Sequence, residues 1–176
     1  MEKDTKISEP KITVSKVQHI LEWTKTQIYL DTSSEKAKFR VVRRGEVYKC
    51  NFGIGVGSEM QKERPCVIIQ GDVGNINSSN VIVAPITHTE KPIPSMAHIE
   101  VQRDCNGITI LDGQVNLSNI QTVSKARLGN YVTKLSKKDI ENIDKAIYIS
   151  LGLMKNIKKY EDKIDNLNKY IEKLKK

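Results

Sequence analysis

The hydrophobic period of this 176-residue chain changes twice along its length, and that change constrains its architecture more than any other feature. Val14, Val17, Leu21, Thr24 and Ile28 recur at alternating spacings of three and four residues, with Ile20 beside them. Such a stripe predicts an amphipathic helix over about residues 12–30. Ser8-Glu9-Pro10 precedes it, and Asp31-Thr32-Ser33-Ser34 is expected to end it, leaving a polar linker to about residue 40. The period then shortens to two. Glu46 to Cys50 alternates polar and apolar, Pro65 to Gln70 and Val81 to Ile86 are β-branched runs, and His98 to Val101 alternates again. Gly113 to Leu117, Asn119 to Val123 and Asn130 to Lys134 are further short strands. Between them lie turn clusters at Gly53–Ser58, Gly71–Asn75 and Cys105–Gly107. Many short strands with such turns predict a small, curved β-barrel. Pro85, inside a strand run, points to an edge or a bulge.

Near the C-terminus the helical period returns. Ser136 can cap a helix with Asp139 in its first turn. Ile140, Ile143, Ile147 and Leu151 are then expected to bury one face on the barrel. From Ile157 the pattern is a heptad: Ile157, Tyr160, Ile164, Leu167, Ile171 and Leu174 fill a and d positions. A long helix with so narrow an apolar seam is marginal alone in water. Pairing with the stripe of residues 14–28 is therefore expected, within one chain or between two.

Composition narrows the function classes. No apolar run approaches the ~18 residues a membrane span needs. The opening Met1-Glu2-Lys3-Asp4-Thr5-Lys6 lacks a basic-then-apolar signal pattern. The three cysteines, Cys50, Cys66 and Cys105, have no CxxC spacing, which fits a reducing cytoplasm better than a disulfide scaffold or a thiolate zinc site. His19, His88 and His98 lack metal-ligand spacing, so no metal and no cofactor is expected. The net charge of +8 suggests an acidic partner such as nucleic acid. Half of it, however, comes from residues 155–176, with 8 basic against 4 acidic residues. A case for RNA must rest on placed residues.

Those residues form an ordered set: Arg43-Arg44-Gly45-Glu46-Val47-Tyr48, Gly57-Ser58-Glu59, Glu63-Arg64-Pro65-Cys66-Val67-Ile68-Ile69-Gln70-Gly71-Asp72, Ile82-Val83-Ala84-Pro85-Ile86-Thr87, and Ile120-Gln121-Thr122-Val123-Ser124-Lys125-Ala126-Arg127-Leu128. In order and spacing the set resembles the MazF/PemK family of toxin endoribonucleases from bacterial type II toxin–antitoxin systems. The likeness covers about residues 43–154, including a closing helix around Ile143 to Leu151. It implies an α+β fold: a small SH3-like (PemK/CcdB-type) β-barrel with a packed C-terminal helix. Residues 1–40 and 155–176 are then helical extensions of a domain at 41–154. It also implies a homodimer, a cognate antitoxin as partner, and metal-independent cleavage of single-stranded RNA. The 2′-hydroxyl attacks its own phosphodiester, leaving a 2′,3′-cyclic phosphate and a 5′-hydroxyl.

That chemistry needs removal of the 2′-hydroxyl proton, a donor to the leaving oxygen, and positive charge at the phosphorane. By its place in the motif, Arg64 is the phosphate stabiliser; its guanidinium fork matches phosphate oxygens. Thr87 is the second catalytic residue, as positioner of the 2′-hydroxyl or part of the base, with Arg64 also a candidate acid. The glycine-rich stretch before Ser58 lacks the lysine of a phosphate loop and is expected to form a flap over RNA. Ser58, Glu59, His88 and Gln121 are the expected RNA contacts. His98 is read as structural, and His19 has no assigned role.

Two departures bear on specificity. The family commonly has an acidic residue and Gln before Ile-Arg-Thr; here Ser118 and Asn119 precede Ile120-Gln121-Thr122. The segment Pro92 to His98 is one residue longer than usual. The competing readings are a non-nuclease toxin on the same barrel, as in the CcdB gyrase poisons, and an interaction module assembled by its helices.

Overall fold

A computed structural model describes residues 12–174. The Ser8–Pro10 segment expected to precede the first helix, and the opening six residues, lie outside them. Helix α1 (Val14–Ala37) begins at Thr13, whose hydroxyl accepts from the Lys16 amide at 3.3 Å. It runs seven residues beyond the expected end. The polar run does not stop it because hydroxyls bond back into the helix: Thr32 Oγ1 and Ser33 Oγ both donate to the Tyr29 carbonyl, at 2.8 and 2.9 Å.

The strands that follow are β1 (Glu46–Asn51), β2 (Glu63–Ile68), β3 (Asn80–Thr87), β4 (Met96–His98), β5 (Gln102–Arg103), β6 (Thr109–Leu111), β7 (Gln114–Asn116), β8 (Gln121–Ser124) and β9 (Leu128–Lys134). A short helix α2 (Asp72–Asn77) stands where a turn was expected, and β5–β6 form a small separate hairpin around Cys105–Gly107. The main sheet is antiparallel in the order β4-β7-β3-β2-β1-β9, with β8 also paired to β3. It curls without closing into a ring.

Pro85 sits neither at an edge nor at a bulge. Along one side, β3 pairs with β8 through Asn80–Val83 and with β7 through Ile86–Thr87. Pro85 falls in the gap where β3 changes partner, so its missing N–H breaks no bond on that side.

The β-branched runs are nearly continuous because the sheet is covered on both faces. Alternate residues feed two cores. Val47, Val67, Ala84 and Ile86 join Val115, Leu117 and Ile143 on one face, whereas Tyr48, Cys50, Cys66, Val81 and Val83 join Val123 and Leu128 on the other. Helix α3 (Lys137–Ser150) closes the first face. Ser136 and Asp139 form a reciprocal capping box, and the Asp139 carboxylate also accepts from the Glu100 amide at 3.0 Å. Ile143 is fully buried and Ile140 and Ile147 pack beside it, but Leu151 lies past the helix end and is 60% exposed. Gly152, at φ 69°, makes the turn into helix α4 (Met154–Leu174).

The expected pairing of the two apolar seams is not made within the chain. Val14, Val17, Leu21 and Ile28 on α1 are exposed, and so are Tyr160, Ile164, Leu167, Ile171 and Leu174 on α4. The α1 face that docks is the opposite one, with Trp23, Thr26 and Leu30 half-buried. At 100° per residue these lie about 170° around the helix from the aliphatic stripe. No described helix is long and apolar enough to cross a membrane.

Candidate functional site

Antiparallel pairing of β2 with β3 matches Cys66 to Pro85, Val67 to Ala84 and Ile68 to Val83. Carried two residues past the end of that ladder, the same register would set Arg64 opposite Thr87. Both side chains have the parity of Cys66 and Pro85, so they leave the sheet on one face. Across β7 and β4 the row continues, with Gln114 opposite Thr87 and His98 opposite Gln114.

Arg64 is exposed near the start of β2. Its Nε donates to the Gln61 carbonyl at 3.2 Å, which aims the guanidinium along the β1–β2 loop. Among the described residues no carboxylate lies within salt-bridge distance of it. An exposed guanidinium with no carboxylate beside it keeps its charge and terminal nitrogens for a phosphate. Thr87 is half-buried at the end of β3. Gly113, just before β7, has φ 123°, and a Cβ there would lie 2.7 Å from the Thr87 carbonyl oxygen. A glycine is therefore what lets β7 close against Thr87.

Sequence reasoning missed Gln114. Its Nε2 donates to the Thr89 carbonyl at 3.4 Å, while its Oε1 is buried without a hydrogen-bond partner among the described residues. A glutamine inside a short strand carries no sequence signal. Only the register reveals it as the cross-strand neighbour of Thr87.

The other expected contacts surround this row unevenly. Ser58 and Glu59 are exposed at the tip of the β1–β2 loop. The Glu59 carboxylate accepts from the Val56 amide at 2.8 Å, so it shapes the loop as well as facing solvent. His88 is exposed directly after Thr87, its Nε2 3.7 Å from the Asp112 carboxylate. Gln121 lies opposite Val83 on β8, four residues back along β3 from Thr87. That is about 13 Å away at ~3.3 Å per residue, so Gln121 is not in contact with the Arg64–Thr87 row. No three His, Cys, Asp or Glu side chains group to hold a metal ion among the described residues.

The loop itself is braced from below. The Asn51 side chain accepts from the Gly53 amide at 3.0 Å, and Arg127 Nη1 donates to the Asn51 and Phe52 carbonyls at 3.3 and 3.2 Å. Lys62, at φ 67°, closes the loop by donating its amide to the Gly53 carbonyl at 2.7 Å. From outside, Trp23 of α1 lies on Gly53, and the Arg127 guanidinium sits 5.1 Å from the indole ring.

Residues 43–151 match the family described as PemK-like, MazF-like toxin of type II toxin–antitoxin system. The chain belongs to that family. Among its PemK/MazF relatives, endoribonuclease EndoA of Bacillus subtilis (strain 168) is 35% identical over 114 residues, which cover 65% of this chain and 97% of EndoA. A solved endoribonuclease from a mycobacterial species, in complex with its cognate antitoxin, is 28% identical with a TM-score of 0.53. That match covers 64% of this chain and 96% of the mycobacterial one. MazF from Deinococcus radiodurans superposes at a TM-score of 0.55 over 64% of this chain and 98% of its own. At 16% identity it speaks to the fold alone. Helices α1 and α4 both fall outside the 43–151 match.

Proposed function

We propose that this chain is a toxin endoribonuclease that cuts single-stranded RNA at a short sequence, so blocking translation and growth. One observation carries the reading: in a member of this toxin family, Arg64 and Thr87 lie just past the β2–β3 ladder on one sheet face, and the exposed guanidinium has no carboxylate partner among the described residues. The Thr87 hydroxyl orients the 2′-hydroxyl, whose oxygen attacks the adjacent phosphorus as its proton passes to solvent. Arg64 neutralises charge on the phosphorane and donates a hydrogen bond toward the departing 5′-oxygen, which takes up a proton from solvent as its bond to phosphorus breaks. The products are a 2′,3′-cyclic phosphate and a 5′-hydroxyl. Gln114, paired with Thr87 across the sheet, flanks this centre with its side-chain oxygen unpartnered among the described residues. Ser58, Glu59, His88 and Gln121 bind RNA around this centre, with Gln121 reading a more distant nucleotide. The reaction draws on protein side chains alone and takes no metal.

The toxin domain spans 41–154, with residues 1–40 and 155–176 as extensions. The protein works as a homodimer in the cytoplasm, restrained by a cognate antitoxin. The exposed seams of α1 and α4 offer apolar surface for self-association.

Incubating the purified protein with RNA in EDTA and sequencing the new ends tests this reading. Cleavage at a short motif with cyclic-phosphate ends is expected, and Arg64→Ala should lower the rate by ~10²-fold or more. Full cutting by Arg64→Ala refutes the site. Growth arrest with intact RNA and damaged DNA would instead identify a non-nuclease toxin.

A further inference from the structure

Helix α1 and the β1–β2 loop enclose an open cleft of about 550 Å³. Lys16, His19 and Trp23 form the helical wall; Gly53, Gly55 and Lys62 form the opposite one. The three helical residues share the docking face, at spacings of three and four. Trp23 is the strut. Its six-membered ring sits against Gly53 and its indole under Arg127, which holds the helix a fixed distance above the loop. One and two turns earlier, exposed His19 and Lys16 overhang the opening.

The cleft adjoins the candidate active site. Gln61 and Glu63 line its floor, the Gln61 carbonyl receives the Arg64 Nε bond, and Glu63 directly precedes Arg64. Its chemistry suits one nucleotide of a single strand. Lys16 and Lys62 supply positive charge for a phosphate, the imidazole offers a stacking surface, and Glu22 offers an acceptor for an exocyclic amine. Glu63 is itself faced by Lys49 at 3.9 Å, which offsets its charge. The volume lies within the ~300–1,000 Å³ range of small-ligand sites.

We propose that this cleft binds a nucleotide flanking the scissile phosphate, so that α1, lying outside the family domain, supplies part of the enzyme's RNA specificity. The proposal rests on the endoribonuclease reading. Trp23 acts as a positioning residue; Lys16, His19 and Lys62 touch the RNA.

The test compares the full chain with a Lys16→Ala/His19→Ala double variant, and with Lys158→Ala on α4 as a control. Both target side chains are exposed, so folding is retained and checked by thermal melting. On an RNA carrying the mapped site with long flanks, the double variant should raise KM by ~10-fold, by more than it lowers kcat, and relax preference at one flanking position. Binding of that RNA is also measured on an Arg64→Ala background across a salt series. There, removing Lys16 should make the slope of log affinity against log salt shallower by ~0.7 for one lost phosphate contact on a single strand. Unchanged KM, flanking preference and salt slope would overturn the subsite. So would faster cleavage by the double variant, which would make α1 a cover over the loop. If the wild-type chain cuts no RNA, the endoribonuclease reading fails, and the salt slope still decides whether the cleft holds RNA.

Discussion

Trp23 and Gly53 are in such close apposition that a Cβ on the glycine would lie 2.3 Å from the indole Cζ2. One residue lies on the N-terminal extension and the other at the base of the loop leading to Arg64. Their contact is how a helix outside the family domain acquires a fixed position over the candidate site.

Gly53→Ala should break that contact. Gly53 has φ 81°, so alanine adds backbone strain to the clash. We expect a loss of about 1–3 kcal/mol and release of α1 from the loop. Trp23 is the chain's single tryptophan, so its fluorescence reports the release without interference. An unchanged emission maximum together with unchanged stability would mean that the helix is not held there.

Gly113→Ala tests how Thr87 is placed. The new Cβ would press on the Thr87 carbonyl from 2.7 Å, at a backbone angle that disfavours alanine. Stability should fall by about 1–3 kcal/mol. RNA cleavage per folded molecule should fall by ~10-fold or more, because small displacements of a positioning group are costly. Loss of stability with full cleavage by the folded fraction would separate Thr87 from the chemistry.

Asp139 joins α3 to the strand region. Its carboxylate accepts from the Ser136 hydroxyl at 2.7 Å, the Ser136 amide at 3.2 Å and the Glu100 amide at 3.0 Å, and the residue is 1% exposed. Asp139→Ala leaves those donors unpaired and should cost about 2–3 kcal/mol in urea unfolding. Asp139→Asn, which keeps the acceptor oxygen, should recover part of that.

Tyr48 governs part of the alkaline limb. Burial is the main cause of its raised pKa, with the hydrogen bond its hydroxyl donates to Glu46 adding to it, and together they push it up to about 12. The folded state therefore holds this proton more tightly than the unfolded chain, whose tyrosine ionises near 10. The Tyr48 contribution is whole below pH 10 and is lost as pH rises toward about 12. Lys125 works in the opposite sense. Burial lowers its pKa, so the cost of keeping it charged is relieved as pH rises toward its ordinary value. Urea midpoints of wild type and Tyr48→Phe across pH 9–11.5 isolate the tyrosine. The variant should lose about 1 kcal/mol at neutral pH and show the shallower alkaline decline. Parallel curves would remove Tyr48 as the cause.

Local pattern was enough to locate most elements, because strand and helix periods are set by which residues must face a core. The period-two stretch gave β1, β2, β3 and β7 to β9 within a few residues, and Ser136 with Asp139 gave the start of α3. Arg64 and Thr87 could be named because their motif context is local. Gln114 could not, since a strand register decides that it faces Thr87.

The extensions divide the same way. The sequence alone established that residues 14–28 and 157–174 carry amphipathic stripes, since helical spacing is a property of the chain. It did not mark the face of α1 that docks within the chain. The aliphatic stripe remains in solvent, and the helix is held instead through Trp23, Thr26 and Leu30. An indole edge fits the backbone of a glycine with no Cβ, and a guanidinium closes on its ring, so shape and charge at one contact outweighed a longer row of smaller side chains. Only the tertiary structure could decide that, because Trp23, Gly53 and Arg127 are remote in sequence and meet only when the sheet brings β1 and the start of β9 under the helix.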